Sequence, residues 1–363
     1  MSSRVIMLVD LDYFFAQCEE KRNPELKTKP VVVCVYSGRT EDSGAVSTAN
    51  YIARSRGVKS GMPIFLAKKR LENTEAVFLP VDHDFYEAIS ARIMNILRGF
   101  AEVLEQVGID EAYLDVTTKI DGKFERAKKL AEEIKEAISE QEGITCSIGV
   151  GPNKLVAKMA SDEKKPDGLT IIRFEEARDF LKTLPVNRLL GVGKKTEDRM
   201  KELGINTIGE LATIDSTQLR RVFGEKLGDY FHNASLGIDN EKIHEKGEAE
   251  SISRIATLKQ NTREVRDIME TVKELSVDVH SGIAERQALF KSITVIAILS
   301  DLTIRTRSKT LEKPASDLDT ILSSARELFE KLLTDSDKEL RRVGVKVSVF
   351  EVSKGQKTLV EYS

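Results

Sequence analysis

The stretch Val5-Ile6-Met7-Leu8-Val9 sets the tightest limit on the fold. Five consecutive apolar residues without polar alternation describe a strand covered on both faces, which has to lie inside a layered sheet. The strand runs into Asp10-Leu11-Asp12, and Tyr13-Phe14-Phe15-Ala16 then opens a helix over 14–20, with Asp12 as its expected N-cap and Asn23-Pro24 as its stop. A hundred residues later, Ile109-Asp110-Glu111-Ala112-Tyr113-Leu114-Asp115 puts two more acids in a turn between strands expected at 103–107 and 112–116, with no basic residue beside them in sequence. Carboxylates at the exits of apolar strands are costly unless a cation lies between them, and oxygen donors with a few waters suit magnesium. Taken singly, Asp12 reads as a cap and Asp110 as a turn residue. Together they read as an ion site.

A chain of 363 residues exceeds one ordinary core and divides into two to four domains. With 32% charged and 40% hydrophobic residues the composition is that of a globular protein. No apolar run reaches the roughly 20 residues that span a bilayer, and the N-terminus has no signal-peptide pattern, so a cytoplasmic protein without membrane contact is expected. Cys18, Cys34 and Cys146 sit in apolar segments and read as buried free thiols. A net charge of −3 argues weakly against a nucleic-acid partner, although local clusters and backbone amides can still grip phosphate.

Along the chain, Val31 to Val35 is a strand, and the small-residue stretch around Ser43-Gly44-Ala45-Val46-Ser47-Thr48-Ala49 leads into a helical Asn50-Tyr51-Ile52-Ala53-Arg54. Tyr51 and Arg54, three apart, share a helix face and form a candidate phosphate clamp, the bland reading being a packed Tyr and a solvated Arg. Helices at 84–100 and 123–141 flank the acid turn, and 144–150 alternates as a strand, which predicts a split βαββαβ sheet with helices on one face. A helix begins at Gly151-Pro152-Asn153, and Lys164-Lys165-Pro166-Asp167-Gly168 is a basic turn. From Arg173 to Gly237 the pattern is helical. In it, Leu189-Leu190-Gly191-Val192-Gly193-Lys194 resembles a helix-hairpin-helix turn whose amides can hold a phosphate. A polar linker precedes a second βαββαβ pattern: strand 253–259, helix 263–283, strands 292–300 and 301–307, helix 317–333, strand 341–350. On or beside its strands lie Arg305, Arg307, Lys309, Arg341, Arg342 and Lys346, some at alternate positions and so on one face. A DNA-backbone face is the sharper reading, a solvated edge the plainer one.

In combination, these motifs resemble the Y-family translesion DNA polymerases of the archaeal DNA polymerase IV type. The resemblance covers about the whole chain and rests on residues 9–16, Lys29-Pro30-Val31-Val32-Val33, Ser43-Gly44-Ala45-Val46, Thr48-Ala49-Asn50-Tyr51, Ile109 to Asp115, Asn153-Lys154, Lys165-Pro166 and Arg341-Arg342-Val343-Gly344-Val345. It implies an α+β multidomain right-hand polymerase: a βαββαβ-like palm (1–12 and 79–172), small fingers (13–78), a helical thumb (173–240), a linker (241–251), a βαββαβ little finger (252–350) and a tail (351–363). It implies that Asp10 and Asp110 hold two magnesium ions, with Glu111 completing one site and the Leu11 carbonyl the other. Such ions, about 4 Å apart, activate a primer 3′-hydroxyl and stabilise the leaving pyrophosphate. Tyr13, Phe14, Thr48, Tyr51, Arg54 and Lys165 match positions holding the triphosphate. Phe15 matches the steric gate under the deoxyribose, its plainer role being a core ring. Gly191, Gly193, Lys194, Arg305, Arg307, Arg341 and Arg342 match DNA contacts. The implied enzyme is a monomeric, distributive, low-fidelity polymerase that takes primer-template DNA and deoxynucleoside triphosphates and bypasses damaged bases without a proofreading exonuclease. Two alternatives are a nucleotidyl cyclase-like palm enzyme and a non-catalytic DNA-binding accessory protein. The chain departs from the family at Gly108 (usually Ser), at Leu190 (usually Pro) and in the acidic linker Glu245 to Glu250. Its tail, Gln356 to Tyr362, partly fits a sliding-clamp peptide.

Overall fold

The protein is described here as a computed structural model, which covers residues 4–245, 247 and 250–352, so the expected clamp peptide at 356–362 lies outside the described residues. The chain divides into two compact units, one of Met1–Cys34, Val46–Met62 and Leu66–Lys246, the other of Val35–Ala45, Pro63–Phe65 and Gly247–Ser363.

The elements of the first 240 residues are β1 (Ile6–Leu11), α1 (Phe14–Arg22), β2 (Val31–Tyr36), β3 (Gly44–Ala49), α2 (Tyr51–Ser55), α3 (Ile64–Arg70), β4 (Val77–Pro80), α4 (His83–Arg98), β5 (Val103–Gln106), β6 (Glu111–Asp115), α5 (Phe124–Glu142), β7 (Cys146–Gly151), α6 (Lys154–Ser161) and β8 (Leu169–Ile171). There follow α7 (Ala177–Lys182), α8 (Lys194–Glu202), α9 (Ile208–Leu211), α10 (Ser216–Phe223) and α11 (Glu225–Ser235), the expected all-helical stretch. Five strands form the main sheet in the order β5-β6-β1-β7-β8, with β1 antiparallel to both β6 and β7. A smaller sheet has the order β3-β2-β4. The sequence reading passed over β3, β4, α3 and β8, whose apolar runs are short or rich in small residues.

Helices cover both faces of the main sheet, not one. Val5, Met7, Val9 and Leu11 pack with Tyr86, Ile89 and Ile93 of α4 and with Ala127, Ala131 and Ile134 of α5. The alternate residues Ile6 and Leu8 pack with Ala157 of α6 and Tyr113. The unbroken apolar run in β1 demands this second cover. Two glycines of β7 admit it: a Cβ at Gly149 would lie 2.0 Å from the Ala157 carbonyl oxygen and 2.3 Å from the Ser161 nitrogen, and one at Gly151 2.7 Å from the Ala157 nitrogen. The helical stretch has its own core around Leu181, Met200, Ile208, Leu219 and Phe231.

In the second unit lie β9 (Ser251–Thr262), α12 (Val265–Glu285), β10 (Ala288–Leu299), β11 (Ile304–Ala315), α13 (Leu318–Thr334) and β12 (Leu340–Val352). The expected strand at 301–307 is displaced: Asp301 belongs to a turn, where its side chain accepts from the Thr303 amide at 3.0 Å, and the strand starts at Ile304. The sheet order is β11-β10-β12-β9, all antiparallel, with α12 and α13 against the face carrying Ile293, Val295, Ala297, Val343, Val345 and Val347.

Candidate active site

Strand register brings the two acid motifs together. Asp10 on β1 lies directly opposite Glu111 on β6, and the Leu11 amide donates to the Asp110 carbonyl at 2.8 Å. Asp10 follows Ile6 and Leu8 in alternation, so it faces α6. From that helix Lys158 reaches the Asp10 Oδ2 at 3.2 Å and also pairs with Glu111, while Lys165 sits 2.6 Å from the same Asp10 oxygen and 2.8 Å from Asp162. The sequence reading carried Lys165 but missed Lys158. A signal for it existed, since it is the lone charge in the apolar run from Leu155 to Ala160.

The electrostatics of the cluster follow from burial. Desolvation first, and the neighbouring Asp10 charge second, push the Asp110 carboxyl above the usual range. Burial also raises Glu111, against the opposing pull of its bond to Lys158. Burial alone would lower the Lys158 and Lys165 ammonium groups, but the facing carboxylates outweigh it and hold both protonated. Gly108 leaves room here, because a Cβ at that position would stand 3.2 Å from the Asp110 Oδ1. Among the described residues, no three His, Cys, Asp or Glu side chains are already gathered as a complete metal cage. The donors that do converge are hard oxygens from Asp10 and Asp110 with Glu111 beside them, and magnesium takes one or two carboxylates and completes its shell with waters and substrate phosphates. The donor set fits such an ion.

A cavity of about 320 Å³ opens in front of the acids, lined by Asp10, Leu11, Asp12, Tyr13, Phe14, Phe15, Ser47, Thr48, Tyr51, Arg54, Ser60, Asp110 and Lys165. Every residue expected to hold ion or nucleotide lines it except Glu111. Tyr13 adopts a left-handed conformation (φ 35°, ψ 44°), which turns the chain sharply into α1. No side chain caps α1, and while the Ala16 and Gln17 amides donate to the Tyr13 carbonyl, those of Phe14 and Phe15 are left for another partner. Asp12 is therefore not the cap. Its buried carboxylate accepts from Ser147 Oγ at 2.7 Å, Thr145 Oγ1 at 3.0 Å and the Asp167 amide at 2.8 Å, and so fastens the turn that carries Lys165. Asn50 is a true cap, accepting from the Ala53 amide at 3.0 Å, and it starts the short helix that presents Tyr51 and Arg54. The Arg54 guanidinium lies 5.2 Å from the Tyr51 ring centre and donates to the Ala49 carbonyl at 2.7 Å and to Thr48 Oγ1 at 3.4 Å. The half-buried Phe15 ring lines the cavity on one side and packs on the core on the other.

The expected DNA contacts are placed as follows. Gly191 takes φ +84° in the turn before α8, Gly193 is the N-cap of α8, and Lys194 pairs with Asp198 at 2.6 Å. Leu190, where the family usually has Pro, offers its carbonyl to Tyr230 Oη at 2.7 Å. The basic residues of the second sheet fall into two sets. Arg305, Arg307 and Lys309 pair across the ladder with Ala297, Val295 and Ile293, on the helix-covered side, where Arg307 meets Asp335 and Lys309 meets Glu327 at 2.5 Å. Arg342 and Lys346 pair with Ile298 and Thr294 on the open side. Arg341 sits in an irregularity between Leu340 and Arg342.

Comparison with known proteins gives the same answer over the full length. The impB/mucB/samB family profile matches residues 9–162, its C-terminal domain matches 249–359, and the DNA polymerase-iota thumb domain matches 187–239. DNA polymerase IV of Nitrosopumilus maritimus is 45% identical over 100% of both chains, and that of Saccharolobus solfataricus is 40% identical over 96% of this chain and 97% of its own. The solved Y-family DNA polymerase chimera Dbh-Dpo4(243-245)-Dbh superimposes with a TM-score of 0.90 at 40% identity, covering 96% of this chain and 99% of that one. The chain belongs to the Y-family DNA polymerases. As a Y-family enzyme of the DNA polymerase IV type it is a DNA-directed DNA polymerase of translesion synthesis, with the divalent-metal dependence of its family. Among the described residues no helix is long and apolar enough to cross a membrane.

Proposed function

We infer that this polymerase extends the 3′ end of a primer on a DNA template in the cytoplasm, using two magnesium ions held by Asp10, Asp110, Glu111 and the Leu11 carbonyl. The supporting observation is the register that sets Asp10 opposite Glu111, and ties Leu11 to Asp110, at the rim of a cavity that also holds the α1 turn. The primer 3′-oxygen forms its bond to the α-phosphorus as the bond to pyrophosphate breaks. When bound, the ions lower the charge repulsion between attacking and leaving oxygens. Tyr13 and Phe14 supply backbone amides to the triphosphate, and Thr48, Tyr51, Arg54 and Lys165 supply side chains from two further directions. Phe15 lies under the sugar, where a ribose 2′-hydroxyl would meet its ring. Small residues Gly44, Ala45, Ser47 and Gly61 roof the nascent pair loosely, which suits a damaged template base. Residues 1–12 with 79–172 act as palm, 13–78 as fingers, 173–240 as thumb and 252–350 as little finger. The Gly191–Lys194 turn holds duplex phosphates through its amides, and the Arg342 side of the second sheet does so by itself, neither reading sequence.

The test is primer extension with magnesium and four deoxynucleotides on an undamaged template and on one with an abasic site, wild type beside Glu111→Ala. Extension past the lesion by wild type alone is expected. Wild-type arrest at the lesion would remove bypass while keeping polymerisation, and equal extension by Glu111→Ala would remove the assigned acid.

A further inference from the structure

A steric gate excludes a ribonucleotide only if its ring cannot retreat. A ring that gives way by an ångström lets the 2′-hydroxyl in, so whatever stands behind the gate carries part of the selectivity. Behind Phe15 stands Tyr86 of α4. The two rings stack with centroids 4.4 Å apart and planes at 18°, and the edge of His83 flanks Phe15 at 6.1 Å. Tyr86 is fully buried, so its ring has no solvent into which to swing. Its hydroxyl donates to Glu19 Oε1 at 2.7 Å, one turn further along the helix that begins with Phe14 and Phe15.

The same two helices are latched at their edge. Arg22 of α1 meets Asp82 Oδ2 at 2.7 Å, and its guanidinium lies 3.7 Å over the Phe85 ring. Asp82 in turn caps α4, accepting from the Phe85 amide at 3.2 Å. One turn beyond Tyr86, Ser90 donates to the Ile109 carbonyl just before Asp110. A single face of α4 thus backs the candidate gate and steadies the acid turn.

We propose that Tyr86 is a positioning residue for sugar selection: held by Glu19, its ring is the fixed backstop that keeps Phe15 against the 2′ carbon of the incoming nucleotide. The assignment rests on Phe15 acting as the gate. Tyr86→Leu removes the flat support, and Tyr86→Phe keeps the ring while releasing Glu19.

The experiment measures kcat and KM for a deoxynucleotide and the matching ribonucleotide opposite the same template base, with thermal midpoints as a folding control. Tyr86→Leu is expected to lose at least ~10-fold in discrimination through faster ribonucleotide insertion, with deoxynucleotide kcat/KM within about 3-fold of wild type, and Tyr86→Phe to restore most of the discrimination. Should the leucine variant fail to fold, Tyr86→Met, which fills the space with a flexible chain, carries the same expectation. A folded Leu or Met variant that is active on deoxynucleotides and fully discriminating would overturn the proposal. Phe15→Ala, run in parallel, separates the two ideas. If it admits no ribonucleotide, the gate itself is misassigned; if it does while Tyr86→Leu still excludes, only the backstop fails.

Discussion

The two sheets share the chain order strand, helix, hairpin, helix, strand, yet they place their strands differently. In the main sheet the first strand, β1, is central, with β6 on one side and β7 on the other. In the second sheet the first strand, β9, is an edge, and the centre belongs to β10 and β12. A central strand is covered on both faces, so a carboxylate at its end is drawn into a partly desolvated pocket. An edge strand leaves its charges in water. Asp110 and Glu111 accordingly sit above the usual carboxylate range, whereas two exposed acids of the second unit, Asp301 in the turn before β11 and Glu327 on α13, are pulled down to about 2, Asp301 by Lys338 and Glu327 by Lys309 and Lys331. At Asp110 and Glu111 burial outweighs the nearby lysine charges, whereas at the two exposed acids of the second unit the lysines outweigh burial.

The largest expected effect breaks the first sheet alone. Asp110→Ala should lower single-turnover extension by at least ~1,000-fold while primer-template affinity, which comes mainly from phosphate contacts, changes less than about 3-fold. Near-normal extension by that variant would mean that desolvation around Asp110 serves folding only. Next comes Lys165→Ala, expected to raise the KM for nucleotide about 10-fold with a smaller effect on kcat, because the proposed triphosphate contact is made before the chemical step as well as during it. Equal losses in kcat and kcat/KM would instead place Lys165 at the transition state.

A smaller effect separates the two sides of the second sheet. Arg342→Ala should weaken DNA binding and reduce the slope of log affinity against log salt by about 1, whereas Arg307→Ala, already paired with Asp335, should leave that slope nearly unchanged. Fluorescence anisotropy over a salt series decides it, and a reversed order would turn the helix-covered edge into the DNA face. The smallest effect is a titration. Glu327 sits below its ordinary value of 4.5, so its contribution to stability is present above that value and is lost only as pH falls through about 2. Asp110 shifts the opposite way and should take up its proton first on acidification. Carboxyl-carbon NMR should show Asp110 protonating well before Glu327, and coincident titrations would erase the electrostatic contrast between the two units.

What the sequence revealed follows the same division. The uninterrupted run in β1 announced a doubly covered strand, and the two acid motifs do meet across the β1–β6 register, because both are marked by local patterns. Asp12 was misread because the N-cap rule is local as well, whereas its actual donors, Thr145, Ser147 and Asp167, come from more than a hundred residues away. Lys158 escaped for the same reason, since only packing of α6 on the sheet gives it its partners. In the second sheet, alternation correctly set Arg305, Arg307 and Lys309 on one face. Which face that was depended on the cross-strand register, and register is not written in any single strand.

Gly149 shows how far such distances reach. Because this residue carries no side chain, α6 rests directly on the backbone of β7, within reach of Asp10 and Glu111 through Lys158. A single methyl group there would wedge helix from sheet and draw the ammonium away from the acids. The reach of Lys158 to the two carboxylates is thus geared to the thickness of one backbone contact, and a change that adds no charge at all would alter the charge they face.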